Sequence, residues 1–488
     1  VGGFLESYTL LLLMYAGLAA FGLTTALPGL AFSHLEWKAL SNAALTMAGI
    51  TTIIGAGGIV LGLIGMVLGL LVFGEPSWTW GAYIAALVFI MGISQGGVIF
   101  SVIMTGTHAR WGRPLKRIAE TFAIFLPFAY LALVIGLVFG LKVYPWHPET
   151  WAIGGPVALE PHSGLAISTK PMWLSPGFFI VRQLVAVGLL FVLDFLYLRG
   201  AFGPDLVMAG QHLKAKDASW TAPGWWSLLG YKDTNLKAAI ASGKKTQGFL
   251  FPLIGVMYAV VFSLIAFDLV MSMAPWWYSN MFGAWFFASS FWISMAALGI
   301  TALLARDWLG IRHLITPNVT LDLGKLILAF CMFWAYTLFA QILPIWYSNM
   351  PEETDFLLVR MTLPEWSWMA KTVAVMCFLM PFTVLVSRGI KKMKWPLIAI
   401  LTVILCGVFM ERSLLIMPSI WMADYFPVGL FFFVSLPILF GFVGAFVLVT
   451  SRVLASVPPI PVSDPELGPH PWDVHVHAYE GDVLPATK

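Results

Sequence analysis

The chain has 488 residues, 59% of them hydrophobic and only 10% charged, with a mean hydropathy of +0.87 and a formal net charge of +3. Soluble domains carry about 25% charged residues, so this composition excludes an ordinary soluble globular protein, and nothing in the charge balance calls for a nucleic-acid partner. Its three cysteines, Cys331, Cys377 and Cys406, lie in separate apolar runs without a CxxC spacing, which argues against disulfides and cysteine-ligated iron–sulfur clusters.

Apolar runs longer than about 18 residues recur along the chain. They predict an all-α, polytopic transmembrane helix bundle, with membrane lipid as its surroundings. The spans fall near 8–31, 45–73, 80–106, 118–141, 177–198, 249–273, 282–305, 321–345, 369–387, 396–417 and 426–450. The count is about ten to eleven, because Pro28 interrupts the first run and the second is rich in glycine. Three regions follow: N-terminal transmembrane segments over 1–74, a main bundle over 75–451 with a basic loop at 199–248, and a polar, proline-rich tail over 452–488.

Basic residues orient such a bundle. Arg110, Arg113, Lys116 and Arg117 follow the third span; Arg199, Lys214, Lys216, Lys232, Lys237, Lys244 and Lys245 follow the fifth. Arg306 and Arg312 follow the seventh, and Arg388, Lys391, Lys392 and Lys394 the ninth. The intervening loops hold only Lys142, Lys170 and Arg360. The positive-inside rule places the basic loops, and with them the C-terminus, in the cytoplasm. The string P-x-W-Y-S-N-M occurs twice, with its WYSNM at Trp277–Met281 and again at Trp346–Met350. Both copies end an outward-going span, at the depth where Trp and Tyr favour the headgroups. After the second copy, PEETD reads as an acidic outer loop.

The nine histidines all fall in loops, at span ends or in the tail. That argues against a haem held between histidines of facing helices. His470, His475 and His477 read as part of a solvated tail. No Walker loop, dinucleotide-binding fingerprint or HExxH is present. The chain is therefore expected to bind no cofactor and no metal of its own.

Ionisable residues at membrane depth are costly and are functional candidates by default. Glu120 opens the fourth span, Asp194 lies in the fifth, Asp268 lies about one turn before the end of the sixth, and Asp322 opens the eighth. Lys325 follows Asp322 at i+3 and can pair with it. Arg182 and Gln183 occupy the outer half of the fifth span, Glu411 and Arg412 the outer part of the tenth, where they read as a boundary anchor, and Asp424 begins the eleventh. Asp194 and Asp268 have no basic neighbour on their own helix face. Each is either a proton-relay carboxylate, since desolvation disfavours the charge of a lone acid, or a hydrogen-bonded structural acid. Ser94, Ser101, Thr105 and His108 recur at helical spacing along the third span. That stripe serves either a hydroxyl path toward His108 or close packing by small residues.

Four stretches together resemble one family: HARW at His108–Trp111 with KRIAE at Lys116–Glu120; DLVMSMAPWWYSNMFG at Asp268–Gly283; LDLGK at Leu321–Lys325 with FWAY at Phe333–Tyr336 and IWYSNMPEET at Ile345–Thr354; and VSDPEL at Val462–Leu467. They are similar to the F-type membrane subunit of bacterial alternative complex III, a quinol:electron-acceptor oxidoreductase, itself related to NrfD-like polysulfide-reductase subunits. The resemblance runs from about residue 75 to the tail. It implies an NrfD-like fold in the bacterial cytoplasmic (inner) membrane. It further implies a cofactor-free subunit supporting electron transfer from quinol and carrying protons, with Glu120, Asp194, Asp268, Asp322, Lys325 and His108 as relay candidates. The implied partners are a paralogous NrfD-like subunit with the quinol site, an iron–sulfur subunit and multihaem cytochrome c subunits, which would hold the iron–sulfur clusters and haem c. Trp276 stands where the family usually has histidine, so that residue's role does not carry over, and the run at 8–31 is additional to the ten spans expected. The other readings are a quinol-binding subunit, with Asp268 or Glu411 beside the quinol, a secondary transporter, and a purely structural subunit.

Overall fold

The structure is a computed structural model that describes residues 38–74, 76–147, 172–216, 218–420, 427–464 and 467. The predicted span at 8–31, Asp424 and the three tail histidines lie outside the described residues. Among the described residues the regular structure is helical throughout, and ten helical segments are long and apolar enough to cross a membrane. They coincide with the second to eleventh predicted spans.

In chain order, α1 is Lys38–Val67, extended by a π-helical turn at Leu68–Val72, and α2 is Pro76–Gly106. α3, Arg113–Phe122, and α4, Leu126–Phe139, are joined by a 3-10 turn and form one span. α5 is Pro176–Lys216; α6, Leu236–Ile265, continues into a π turn at Ala266–Val270. α7 is Phe282–Trp308, α8 Pro317–Ser348, and α9 the short Pro351–Met361. α10, Pro364–Ala374, and α11, Met380–Val386, make one span across a π turn. α12 is Lys394–Ile420, and α13, Pro427–Leu430, leads through a π turn into α14, Leu436–Ser456.

Burial sorts these helices. Residues Trp78 to Val102 of α2 are buried without a break, as expected of a helix that is apolar all round and central. α7 and α12 pack around it. The outer helices keep large apolar side chains exposed, among them Ile53, Val185, Phe249 and Phe339, which suits a lipid-facing surface. α1 lies against α14 through small residues: a Cβ at Gly62 would stand 2.5 Å from Gly441 Cα, and one at Gly58 2.9 Å from Gly444 Cα. Such close backbone approach is the small-residue packing of membrane helices.

Side-chain contacts gather the four basic loops at one end, called here the basic end. Lys394 reaches Asp307 across the α12–α7 contact, Arg113 reaches Asp464, and Arg117 reaches Asp205. At the opposite end Trp146 donates to Ser272, Ser279 donates to Gln341, and Arg360 donates to the α12 carbonyls of Leu414 and Leu415.

Three sequence expectations need correction. The basic loop at 199–248 is mostly helix, because apolar periodicity continues through Leu206, Val207 and Leu213, all buried, so the connector between α5 and α6 shrinks to 217–235. The tail does not begin as a free segment at 452. α14 runs to Ser456, and residues up to Asp464 fold back onto the basic end, burying Val457, Ile460 and Val462. PEETD opens a helix, α9, with Pro351 at its first position, where the missing proline N–H costs nothing.

The two WYSNM copies share an end of the bundle but not a role. Trp277 is buried and stacked on Phe356, ring centroids 3.9 Å apart, whereas Trp346 and Tyr347 are exposed. In the second copy Asn349 takes a left-handed conformation and closes α8, a C-cap that asparagine tolerates.

The α1–α14 seam yields a paired expectation. Gly62→Ala costs about 1–3 kcal/mol through forced separation of the backbones, while Gly57→Ala, which meets nothing within 4 Å, stays within about 0.5 kcal/mol of wild type. Thermal unfolding in detergent measures both.

Candidate polar site at the basic end

A cavity of about 280 Å³ opens among α2, α3, α5, α6 and the returning tail. Its charged lining comprises Arg113, Lys116, Arg117 and Lys244 against Glu120, Asp205 and Asp464, with His108 at the wall. Arg117 organises it. Nη1 lies 2.8 Å from Glu120 Oε2, one turn along α3, and Nη2 donates to Asp205 of α5 and to Ala201 O. The guanidinium also lies 3.9 Å from the Phe202 ring centroid. All three charged groups are buried, so each depends on the others for compensation. The backbone N–H of Ser463 donates to the second Asp205 oxygen at 2.7 Å. Arg113 holds Asp464 at 2.5 Å while donating to Met104 O and Ala109 O.

A line of hydroxyls leads inward from Glu120. Ser101 Oγ donates to Glu120 Oε1 at 2.7 Å and lies 3.1 Å from Tyr197 Oη; Thr105 Oγ1 lies 2.8 Å from the same phenol. Asp194 stands three residues before Tyr197 on α5, hence on the same face. It is fully buried, and neither carboxylate oxygen makes a hydrogen bond of ordinary geometry among the described residues. Gln95 of α2 is its polar neighbour, and its amide atoms are likewise without hydrogen-bond partners.

The predicted stripe thus divides. Ser101 and Thr105 join the line, but Ser94 turns back to Ile90 O at 2.8 Å. His108 is not on the α2 face at all. α2 ends at Gly106, and His108 takes a positive φ of 51° in the turn beyond, from which it lines the cavity instead.

Asp268 lies at the other end and is not a lone acid. Its Oδ2 accepts from Arg182 Nε at 2.8 Å and Gln183 Nε2 at 2.5 Å, and its Oδ1 from Trp173 Nε1 at 3.1 Å. The Arg182 guanidinium stacks on the Trp173 ring at 3.9 Å. The partners come from α5 and the turn before it, far along the chain from Asp268's own helix face. A cavity of about 320 Å³ adjoins, lined by Trp173, Met271, Ser272, Trp277, Tyr278 and Ser279.

Glu411 and Arg412 are interior residues and not a boundary anchor. They pair at 2.8 Å; Glu411 also accepts from Trp334 Nε1 at 2.6 Å, and Arg412 donates to Ser289 Oγ at 2.5 Å. The pair ties α12 to α7 and α8. Asp322 and Lys325 do pair, 2.7 Å apart, but on a partly exposed surface away from the cavity. Nearby Lys391 has its pKa lowered by burial and then by the adjacent charges of Lys325 and Arg388. The cavity therefore unites Glu120, Thr105 and His108 among the predicted residues, with Ser101 bonded behind them. Sequence reasoning missed Asp205 as a buried acid and read Arg117 only as an orienting charge. The available signal was the continuation of helical periodicity past Arg199.

No group of three or more His, Cys, Asp or Glu residues suited to a metal occurs among the described residues. Comparison with known proteins finds no matching family model and no curated relative.

The Glu411–Arg412 pair gives a stability test. Glu411→Leu alone strands a buried guanidinium and costs about 3–5 kcal/mol, while the double replacement by leucine recovers most of that loss, as read by thermal unfolding in detergent.

Proposed function

We propose that this chain is an integral membrane subunit, with no redox centre of its own, of a quinol:electron-acceptor oxidoreductase of the alternative complex III kind, and that its bundle carries protons. The four motif stretches support the assignment to such a complex. The observation that carries the proton role is Asp194: a buried carboxylate with no ion-pair partner among the described residues and the Gln95 amide as its polar neighbour, one helical turn beyond the line Glu120–Ser101–Tyr197 that begins in the polar cavity. A proton entering at Glu120 passes along hydroxyls, each of which can donate and accept, and rests on Asp194, whose neutral form suits dry surroundings. From Asp194 to Gln183 is 11 residues of α5, about 16 Å, so continuation toward Asp268 or the Glu411–Arg412 pair needs intervening water. Asp322 and Lys325, at the surface, serve better as a proton-collecting pair than as relay members.

In this reading the basic end faces the cytoplasm of a bacterial inner membrane. The paralogous quinol-site subunit, the iron–sulfur subunit and the multihaem cytochrome c subunits supply the electron carriers. One observation favours a second reading, that the chain itself binds quinol: the aromatic-walled cavity beside Asp268 has room for a ring. A quinone retained there would favour it.

Asp194→Asn and Glu120→Gln in the intact complex are expected to lower proton uptake per quinol oxidised, with conduction slowed on the order of 10²-fold. Measurement in proteoliposomes decides. Unchanged stoichiometry in a normally assembled Asp194→Asn complex removes the proton role.

A further inference from the structure

A cavity larger than either polar one, about 690 Å³, borders α5 on residues that the polar site does not use. Its walls come from α3–α4 (Leu126, Phe128), α5 (Val192, Phe195) and the segment after α5 (Trp225, Leu228). Apart from Tyr130, Trp225 and Ser456, every lining side chain is apolar or glycine. Tyr130 donates to Leu184 O and Ser456 to Arg452 O. Trp225 Nε1, by contrast, is shielded from solvent and has no acceptor among the described residues. Val192, Phe195, Leu196 and Leu228 are exposed, so the cavity is open along the apolar flank of the bundle. Its volume suits a drug-sized ligand or a pair of hydrocarbon chains.

The charges at its basic end are unbalanced. Arg199, one residue beyond the lining Leu198, caps the Phe195 ring at 6.0 Å and makes no ion pair among the described residues. Arg452, one residue before the lining Val453, donates to the Thr52 hydroxyl and leaves its Nε without an acceptor. A hydrocarbon slot at membrane depth, with an indole N–H lacking an acceptor and unneutralised guanidinium groups at one end, matches a lipid with a negative headgroup. Basic pockets between transmembrane helices recognise anionic headgroups in this way, and Trp sits at the headgroup level.

We infer that this cavity binds the acyl chains of one anionic membrane phospholipid, with its headgroup at the end formed by Arg199 and Trp225. The lipid fills the space between α4 and α5, and so steadies the helix that carries Tyr197 and Asp194 on other residues.

Native mass spectrometry of the protein as purified from membranes, delipidated and titrated with phosphatidylglycerol or phosphatidylcholine of matched chains, tests this. One phosphatidylglycerol is expected to be retained roughly fivefold more tightly than phosphatidylcholine. Arg199→Gln should abolish that preference, and Val192→Trp, which fills the slot from an exposed position, should weaken both lipids. Leu196→Trp is a second filling variant should Val192→Trp not fold. Equal retention of the two lipids, unchanged binding in a folded filling variant, or retention of a quinone in place of phospholipid overturns the inference.

Discussion

One guanidinium shared by two carboxylates holds the basic end together. Arg117 compensates Glu120 on its own helix and Asp205 on the next, and Asp205 in turn anchors the returning tail through Ser463. A charge buried this deeply is stable only when it is paired and hydrogen-bonded. That requirement fixes α3 against α5 and leaves Glu120 Oε1 free to accept from Ser101. The hydroxyl line begins there because the ion pair has already determined where the carboxylate must be.

The buried charges fall into two kinds. Arg117 with its acids, Arg182 with Asp268, and Arg412 with Glu411 are neutralised locally, each bridging helices that are not joined by a short turn. These are structural clamps, whatever further role they have. Asp194 belongs to neither the clamps nor the surface. Asp194 has only the Gln95 amide beside it and no basic partner among the described residues; burying a carboxylate in this way has a stability cost, and the proposed proton role accounts for it.

Small residues and aromatics divide the remaining work. Glycine on α1 and α14 lets backbones touch, whereas Trp277 and Phe356 fill the opposite end by stacking. Among the described residues four π turns interrupt or end otherwise regular spans, and one of them carries Asp268. Such turns shift the register of following side chains and recur at functional sites.

The apolar runs, the alternation of basic loops and the Asp322–Lys325 pair were legible from the sequence, since each depends on hydrophobicity or on neighbours within one turn of the same helix. The helical spacing that puts Ser101 and Thr105 on one face was legible for the same reason, but not that Glu120 and Tyr197 meet them there. The donors to Asp268, the sharing of Arg117, the burial of Glu411 with Arg412 and the docking of the tail were decided only by tertiary structure. Apart from the pairs within one helix, these contacts join residues from 77 to 351 positions apart. Local periodicity tells which face of a helix is polar, but which side chain that face meets depends on how the helices are arranged around α2.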